Sequence, residues 1–262
     1  MMTFEKRASL ARLSTHSLVQ RAKCSGGGSM YYTTRRNGPD GGSEDDELRV
    51  ELIDWIMKEE VDSTVSNPNS RDVTLARHLT EGTQEEIVRA LGALPRMISN
   101  EEECSPGVIQ AIVTHLTSHS DDTKTLATGA LRHLSNNTEN KATIGVEEVL
   151  LPLIDMLHRG VPGHKTNAAG LLCSLAQDHS TNDKINKLGG VKPLLRLVKG
   201  GTAPQRINAS AACHTLSERR ETRATLVQHG VIHIMNNVLL KGCARQASHA
   251  CLTLQSLAQD AA

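Results

Sequence analysis

Residues 127–144 read ATGALRHLSNNTENKATI, and their pattern returns three more times at one fixed interval. Ala127, Ala168, Ala209 and Ala250 lie 41 residues apart, and Leu134, Leu175, Leu216 and Leu257 keep the same spacing. A period between about 20 and 50 residues is the signature of a solenoid, in which each unit packs only on its neighbours. Within a copy, small and apolar residues recur at i, i+3, i+4 and i+7, as in Ala127, Ala130, Leu131, Leu134 and in Ala168, Leu171, Leu172, Leu175. That spacing is one buried face of an α-helix. Between copies stands a second apolar segment: VLLPLIDML (149–157), GVKPLLRLV (190–198) and GVIHIMNNVL (230–239). Glycines at 189, 190 and 230 break the chain before it. Each unit therefore reads as short helix, glycine break, medium helix, turn and long helix, with an apolar face that only stacking can cover.

Composition narrows the function. The only aromatic residues besides histidine are Phe4, Tyr31, Tyr32 and Trp55, so leucine, alanine, valine and isoleucine must fill the core. The charges balance, 29 against 29, but unevenly: residues 1–43 hold seven Lys/Arg and two acids, and residues 44–62 hold nine acids and two bases. The remaining body, 20 against 18, lacks the basic excess of a direct nucleic-acid reader. Six cysteines without CxxC spacing read as free thiols in a reducing compartment. No apolar run approaches membrane-spanning length, so no membrane insertion is expected.

Taken in order, residues 1–43 contain KCSGGGS and RRNGPDGGS and read as a disordered, basic, Gly/Ser-rich tail. Its first stretch, rich in Arg and Ser, also resembles a mitochondrial transit peptide. Residues 44–107 read as capping helices and a degenerate first repeat. SEDDELRVELIDWIMKEEV places acids at a helix amino terminus and a stripe of Leu48, Leu52, Ile53 and Ile56 behind them. SNPNS (66–70) is a loop. Ile87, Ala90, Leu91 and Leu94 then carry the repeat helix 40 residues early, with Pro95 expected to end or kink it. Residues 108–262 hold the repeats proper.

The combination of a glycine break, two helices and an A-x-G-A-L-x-x-L-S helix resembles the armadillo repeat. SPGVIQAIVTHLTSHSDDTKTLATGALRHLSNNTENKATI, preceded by TLARHLTEGTQEEIVRALGAL and LIDWIMKEEVDS, is similar to the start of the armadillo region in the β-catenin and plakoglobin family. The resemblance implies an all-α, right-handed superhelix of about five repeats. The family's superhelix is longer, so a fragment, a short isoform or a divergent paralogue is expected. Where armadillo repeats usually carry asparagine before the last leucine, this chain has His133, Ser174, Thr215 and Ser256.

By that resemblance, the helical face beside the core stripe lines a concave groove that hydrogen-bonds an extended peptide. The groove residues are then His133, Asn137, Asn167, Ser174, Asn208, Thr215, His249 and Ser256, with Gly129, Gly170, Ala211 and Leu252 between them. A second column, Lys124, Lys165 and Arg206, is also spaced at 41 and reads either as a solvated face or as contacts for an acidic partner. The implied function is a monomeric adaptor that binds a protein partner, such as an acidic cadherin tail or a transcription-factor segment. Its setting would be adhesion or Wnt-type signalling in the cytoplasm, at cell junctions or in the nucleus. A general armadillo scaffold is the alternative. An import receptor of the importin-α kind would need tryptophans where Gly129, Gly170, Ala211 and Leu252 stand.

No enzyme and no cofactor is expected, because neither a P-loop nor GxSxG occurs. His115 and His119, at i and i+4, have no third ligand at a zinc-like spacing, so no metal is expected.

Overall fold

The computed structural model describes residues 69–99 and 102–259. The expected tail (1–43) and acidic capping helix lie outside the described residues. Thirteen α-helices follow in order, and no strand occurs among the described residues. They are α1 (Asn69–Glu81), α2 (Gln84–Met97), α3 (Pro106–Thr114), α4 (Asp121–Leu134), α5 (Thr138–Ile144), α6 (Glu147–Arg159) and α7 (Pro162–Leu175). Then come α8 (His179–Lys187), α9 (Val191–Gly200), α10 (Ala203–Ser217), α11 (Arg220–Gln228), α12 (Val231–Lys241) and α13 (Ala244–Ala258). Two helix pairs, α1–α2 and α3–α4, precede three triplets of short, medium and long helix: α5–α7, α8–α10 and α11–α13. The segment 66–70, expected as a loop, is already helical from Asn69.

Local chemistry sets the boundaries. Thr83 and Glu86 form a capping box on α2, in which the Thr83 N–H donates to Glu86 Oε2 at 2.7 Å. These hydrogen bonds, the backbone one first, hold the Glu86 carboxyl below its ordinary value. Asn137 and Asp178, 41 residues apart, cap α5 and α8 in the same manner. Pro95 does not end α2, which runs on to Met97. It falls in the last turn, where a missing N–H costs one hydrogen bond and no more, and Ile98 N–H closes the helix on Leu94 O at 3.0 Å. Gly189 and Gly230 take positive φ, +79° and +75°, and so turn the chain from short helix to medium helix. Gly145 has an ordinary φ of −73°, and a side chain there would stand 2.7 Å from Thr181 Oγ1. The glycine at 145 is needed for close approach of the next repeat rather than for its backbone angle.

The repeat leucines and alanines form one continuous core. Ala127, Leu131, Leu171, Leu172, Ala209 and Leu216 are fully buried, and Leu134 and Leu175 nearly so. In the last copy the burial falls: Leu254 and Leu257 are half-buried and Leu252 is exposed, because among the described residues no helix covers the far side of α13. The long helices α4, α7, α10 and α13 pack side by side, and far more closely than the medium helices α6, α9 and α12 do. Small residues at their crossings permit this. The closely packed layer is therefore the inner, concave one, since curvature brings the elements on the short-radius side together.

A second stitching system runs through the short helices. Asn140 Nδ2 donates to Leu134 O and Glu102 O, at 3.2 and 3.1 Å, and its Oδ1 accepts from the Cys104 N–H. One repeat later Asn182 Nδ2 donates to Ala176 O and Thr215 O, while Thr222 donates to its Oδ1. In the third triplet Arg223 stands in that place and donates to Ser217 O and Glu218 O. These side chains are buried, so each bond replaces water that the carbonyls could not otherwise reach.

Candidate peptide groove on the inner helices

The stripe of the inner layer beside the core follows helical spacing of i, i+4, i+7 or i+8, and i+11, and its members are half-buried or exposed except Thr215 on α10 and Gly92 and Ala93 on α2, which are buried. On α4 it comprises Thr125, Gly129, Arg132 with His133, and Asn136. On α7 it comprises Thr166, Gly170, Cys173 with Ser174, and Gln177. On α10 it comprises Ile207, Ala211, His214 with Thr215, and Glu218, and on α13 Ser248, Leu252, Gln255 with Ser256, and Gln259. On α2 the corresponding residues are Glu85, Arg89, Gly92 with Ala93, and Arg96.

Several residues expected to face a ligand instead join one repeat to the next. Asn167 Nδ2 donates to Thr125 O at 3.1 Å and Asn208 Nδ2 donates to Thr166 O at 2.9 Å, so each asparagine holds the preceding long helix. Asn167 is buried by this contact. His133 Nε2 donates to Ile98 O at 2.8 Å and Ser174 Oγ to Ser135 O at 2.8 Å. Thr215, also buried, donates to Ala211 O and lies 3.7 Å from Cys173 Sγ. Ser256 donates to Leu252 O within its own helix. Asn137 caps α5, its Oδ1 accepting from the N–H groups of Glu139 and Asn140. These bonds engage the donors of the asparagines but leave Asn Oδ1 at 167 and 208 with no bond of their own among those that hold the helices together.

His249 occupies the register of Asn167 and Asn208 but does not repeat their bond. Its ring stacks on His214, centroids 6.3 Å apart with a 28° interplanar angle, and Nδ1 of both rings is buried without a hydrogen-bond partner. Burial, then the nearby His214 and Arg245, push the His249 pKa down. His214 Nε2 lies 3.9 Å from Glu218.

The column Lys124, Lys165 and Arg206 lies near the amino-terminal ends of the long helices, at the edge of the solenoid. Lys124 pairs with Asp121 at 3.2 Å, Arg206 donates to Gly201 O at 2.9 Å, and Lys165 is half-buried. Lys124 also lines an edge cleft of about 580 Å³ with Leu116, Leu151, Pro152, Met156 and Val161. The cations on the inner stripe are others: Arg89, Arg96 and Arg132, against Glu85 and Glu218. They have no common 41-residue spacing, so periodicity did not reveal them. Helical register relative to Gly129 would have.

Among the described residues no cluster of three His, Cys, Asp or Glu could hold a metal ion, and His115, in a 3₁₀ turn, donates to Leu79 O instead. Of the described cysteines, all free, Cys104 and Cys213 are buried, and burial pushes both thiols up to about 12. Cys173 is half-buried and Cys243 and Cys251 are exposed. No helix of the described residues is long and apolar enough to cross a membrane.

No family model matches the sequence, and no curated protein matches it. Solved structures do. A designed armadillo repeat protein, YIII(Dq)4CqI, superposes with a TM-score of 0.66 at 18% identity, over 92% of this chain and 98% of that one. A second design, solved in complex with peptide (KR)4, gives 0.64 at 16% identity over 92% and 98%. A chain from work on a phosphorylation switch in the interaction between cadherin and beta-catenin gives 0.65 at 16% identity, over 94% of this chain but 45% of that one. With the helix order and the inner layer of long helices described above, these likenesses identify the fold as an armadillo-repeat α-solenoid.

Proposed function

We propose that this chain is a non-enzymatic scaffold that binds an extended, acidic peptide along its inner layer. One observation carries the reading: five long helices, α2, α4, α7, α10 and α13, present a stripe with glycine, glycine and alanine at its middle (129, 170, 211) and more cations than carboxylates around it. Small residues leave room for a peptide backbone, and the arginines supply the complementary charge. A solenoid whose helices are already stitched together loses little freedom on binding, so the ordering cost falls mainly on the peptide.

The resemblance to the β-catenin family supports a cadherin tail or a transcription-factor segment as ligand, with adhesion or Wnt-type signalling as the setting and the cytoplasm, junctions or nucleus as the place. The designed relative that carries (KR)4 marks the opposite charge preference. An import receptor for basic peptides would need aromatic platforms, and positions 129, 170, 211 and 252 hold Gly, Gly, Ala and Leu.

The test is fluorescence anisotropy with an Asp/Glu-rich extended peptide and with (KR)4, for wild type and Ala211→Trp, whose indole fills the middle of the stripe. Salt-sensitive binding of the acidic peptide alone, abolished by Ala211→Trp, is expected. Equal binding of both peptides, or indifference to the tryptophan, would overturn the reading.

A further inference from the structure

The outer layer changes character between α9 and α12. Val191, Leu194, Leu195 and Val198 on α9 and Val231, Ile234, Met235 and Val238 on α12 are all buried, each 40 residues from its counterpart, so the outward positions of the two helices also correspond. On α9 these are Lys192, Arg196 and Lys199, at i, i+4 and i+7, all exposed. On α12 the same places hold Ile232, Asn236 and Leu239, followed by Leu240 and Lys241. Leu240 is 81% exposed and Ile232 47%. Neither helix contains an aspartate or a glutamate. Among the described residues, none of the cations Lys192, Arg196, Lys199 and Lys241 pairs with a carboxylate from another element. On α6 the corresponding outward positions are Leu151, Asp155 and His158, and Asp155 pairs with Arg159 at 3.4 Å, so the acid-free area ends there.

We infer that the outward face of α9 and α12 docks on the surface of an anionic lipid bilayer, without crossing it. Such a surface presents phosphate and carboxylate charges above a hydrocarbon boundary, and the two helices supply cations for the first and bare isoleucine and leucine for the second. Lysine and arginine stems are long enough to keep their heads among the phosphates while Ile232, Leu239 and Leu240 reach deeper. The shape agrees with this partner. A convex layer meets a plane along few neighbouring helices, and curvature lifts α6, with its Asp155, away from it. A helix from a protein partner would instead call for an apolar groove flanked by cations, whereas here the cations lie on one helix and the apolar residues on the next. The inner stripe faces the opposite way, so the inference does not depend on the groove reading.

The experiment is vesicle flotation of the full chain, at low and at high salt, with phosphatidylcholine alone and with equal parts of phosphatidylcholine and phosphatidylserine. Binding to the phosphatidylserine vesicles alone, weakened by salt, is expected. Each cation beside an anionic leaflet multiplies binding about fivefold, so Lys192→Gln/Arg196→Gln/Lys199→Gln should lower the partition coefficient about a hundredfold. Leu240→Ser should lower it about tenfold and leave the salt dependence as it was. Lys192→Arg/Lys199→Arg should bind like wild type, since the charge is kept, and so should Val73→Ser, an exposed apolar residue on α1. Ala211→Trp, on the inner stripe, should leave vesicle binding intact whatever it does to a peptide. Circular dichroism checks folding, and should the triple variant unfold, Leu240→Ser and the salt dependence of wild type decide. Equal binding to both vesicles, binding to neither, or a triple variant that binds like wild type would overturn the inference. So would a triple variant that loses an Asp/Glu-rich peptide and keeps the vesicles, which makes the face a protein-docking surface. Sedimentation without vesicles covers the remaining outcome: if Leu240→Ser breaks a dimer and leaves vesicle binding unmoved, the face joins two copies of the chain and the bilayer is wrong.

Discussion

The junction of α7 with α10 and that of α10 with α13 share one backbone arrangement and differ in how side chains close it. At the first, Asn208 reaches Thr166 O, Asn182 joins Ala176 O to Thr215 O, and Leu172 and Leu216 are fully buried. At the second, His249 replaces the asparagine, two imidazoles stack with unpartnered Nδ1 atoms, and Leu254 and Leu257 are only half-buried. Stability in a solenoid is a sum over units and neighbouring interfaces, so a repeat can keep its shape and still hold less firmly.

The contrast can be broken or sharpened by substitution. Residues 172 and 254 occupy the same register two repeats apart, so Leu172→Ala and Leu254→Ala compare the two settings directly. Leu172→Ala should cost about 3 kcal/mol in urea denaturation and Leu254→Ala about 1, the difference being the surface each already exposes. Equal costs would mean that the two settings pack alike. Asn182→Ala should cost about 2 kcal/mol, because it strands two buried carbonyls and the Thr222 hydroxyl together. The same method measures it, and a loss below that of a surface change would remove the short-helix stitching from the account.

The asparagine ladder itself is the finer distinction. Asn208→Ala should destabilise by about 1 kcal/mol, and His249→Asn, which rebuilds the ladder toward Ile207 O, should stabilise the last repeat by a similar amount. Amide exchange along α13 would read both. The smallest effect is expected from pH. The folded state depresses the His249 pKa below the ordinary 6.5, so it binds fewer protons than the unfolded chain. The contribution is therefore complete above pH 6.5 and lost as the pH falls through that value toward the folded one. Amides of α13 should exchange relatively faster at low pH than those of α7, once intrinsic rates are corrected, and His249→Asn should erase the difference.

Much of this architecture was legible in the chain. The alanine–leucine period reports burial at each residue separately, and burial is a local property of a helical face, so the repeats, the core and the glycine turns at 189 and 230 could be read directly. Asn137 was open to a better reading, since asparagine followed by Thr-Glu is a helix-start signal, as its partner Asp178 shows. The destinations of Asn167, Asn208 and Ser174 were not legible, because a hydrogen bond to a carbonyl some 40 residues earlier depends on how two helices cross, not on either helix alone. Polar residues at helical spacing look the same whether they await a ligand or bind the next repeat.

The unequal closeness of the two helix layers has a mechanical consequence. In a bent beam there is a surface whose length stays constant while material farther out stretches or shortens. Here the tightly packed long helices lie near that surface, and the loosely touching medium helices take up the strain. When the solenoid flexes, the pitch of the inner stripe therefore changes least. The spacing of Gly129, Gly170 and Ala211 is therefore kept while the outer side of the molecule opens and closes.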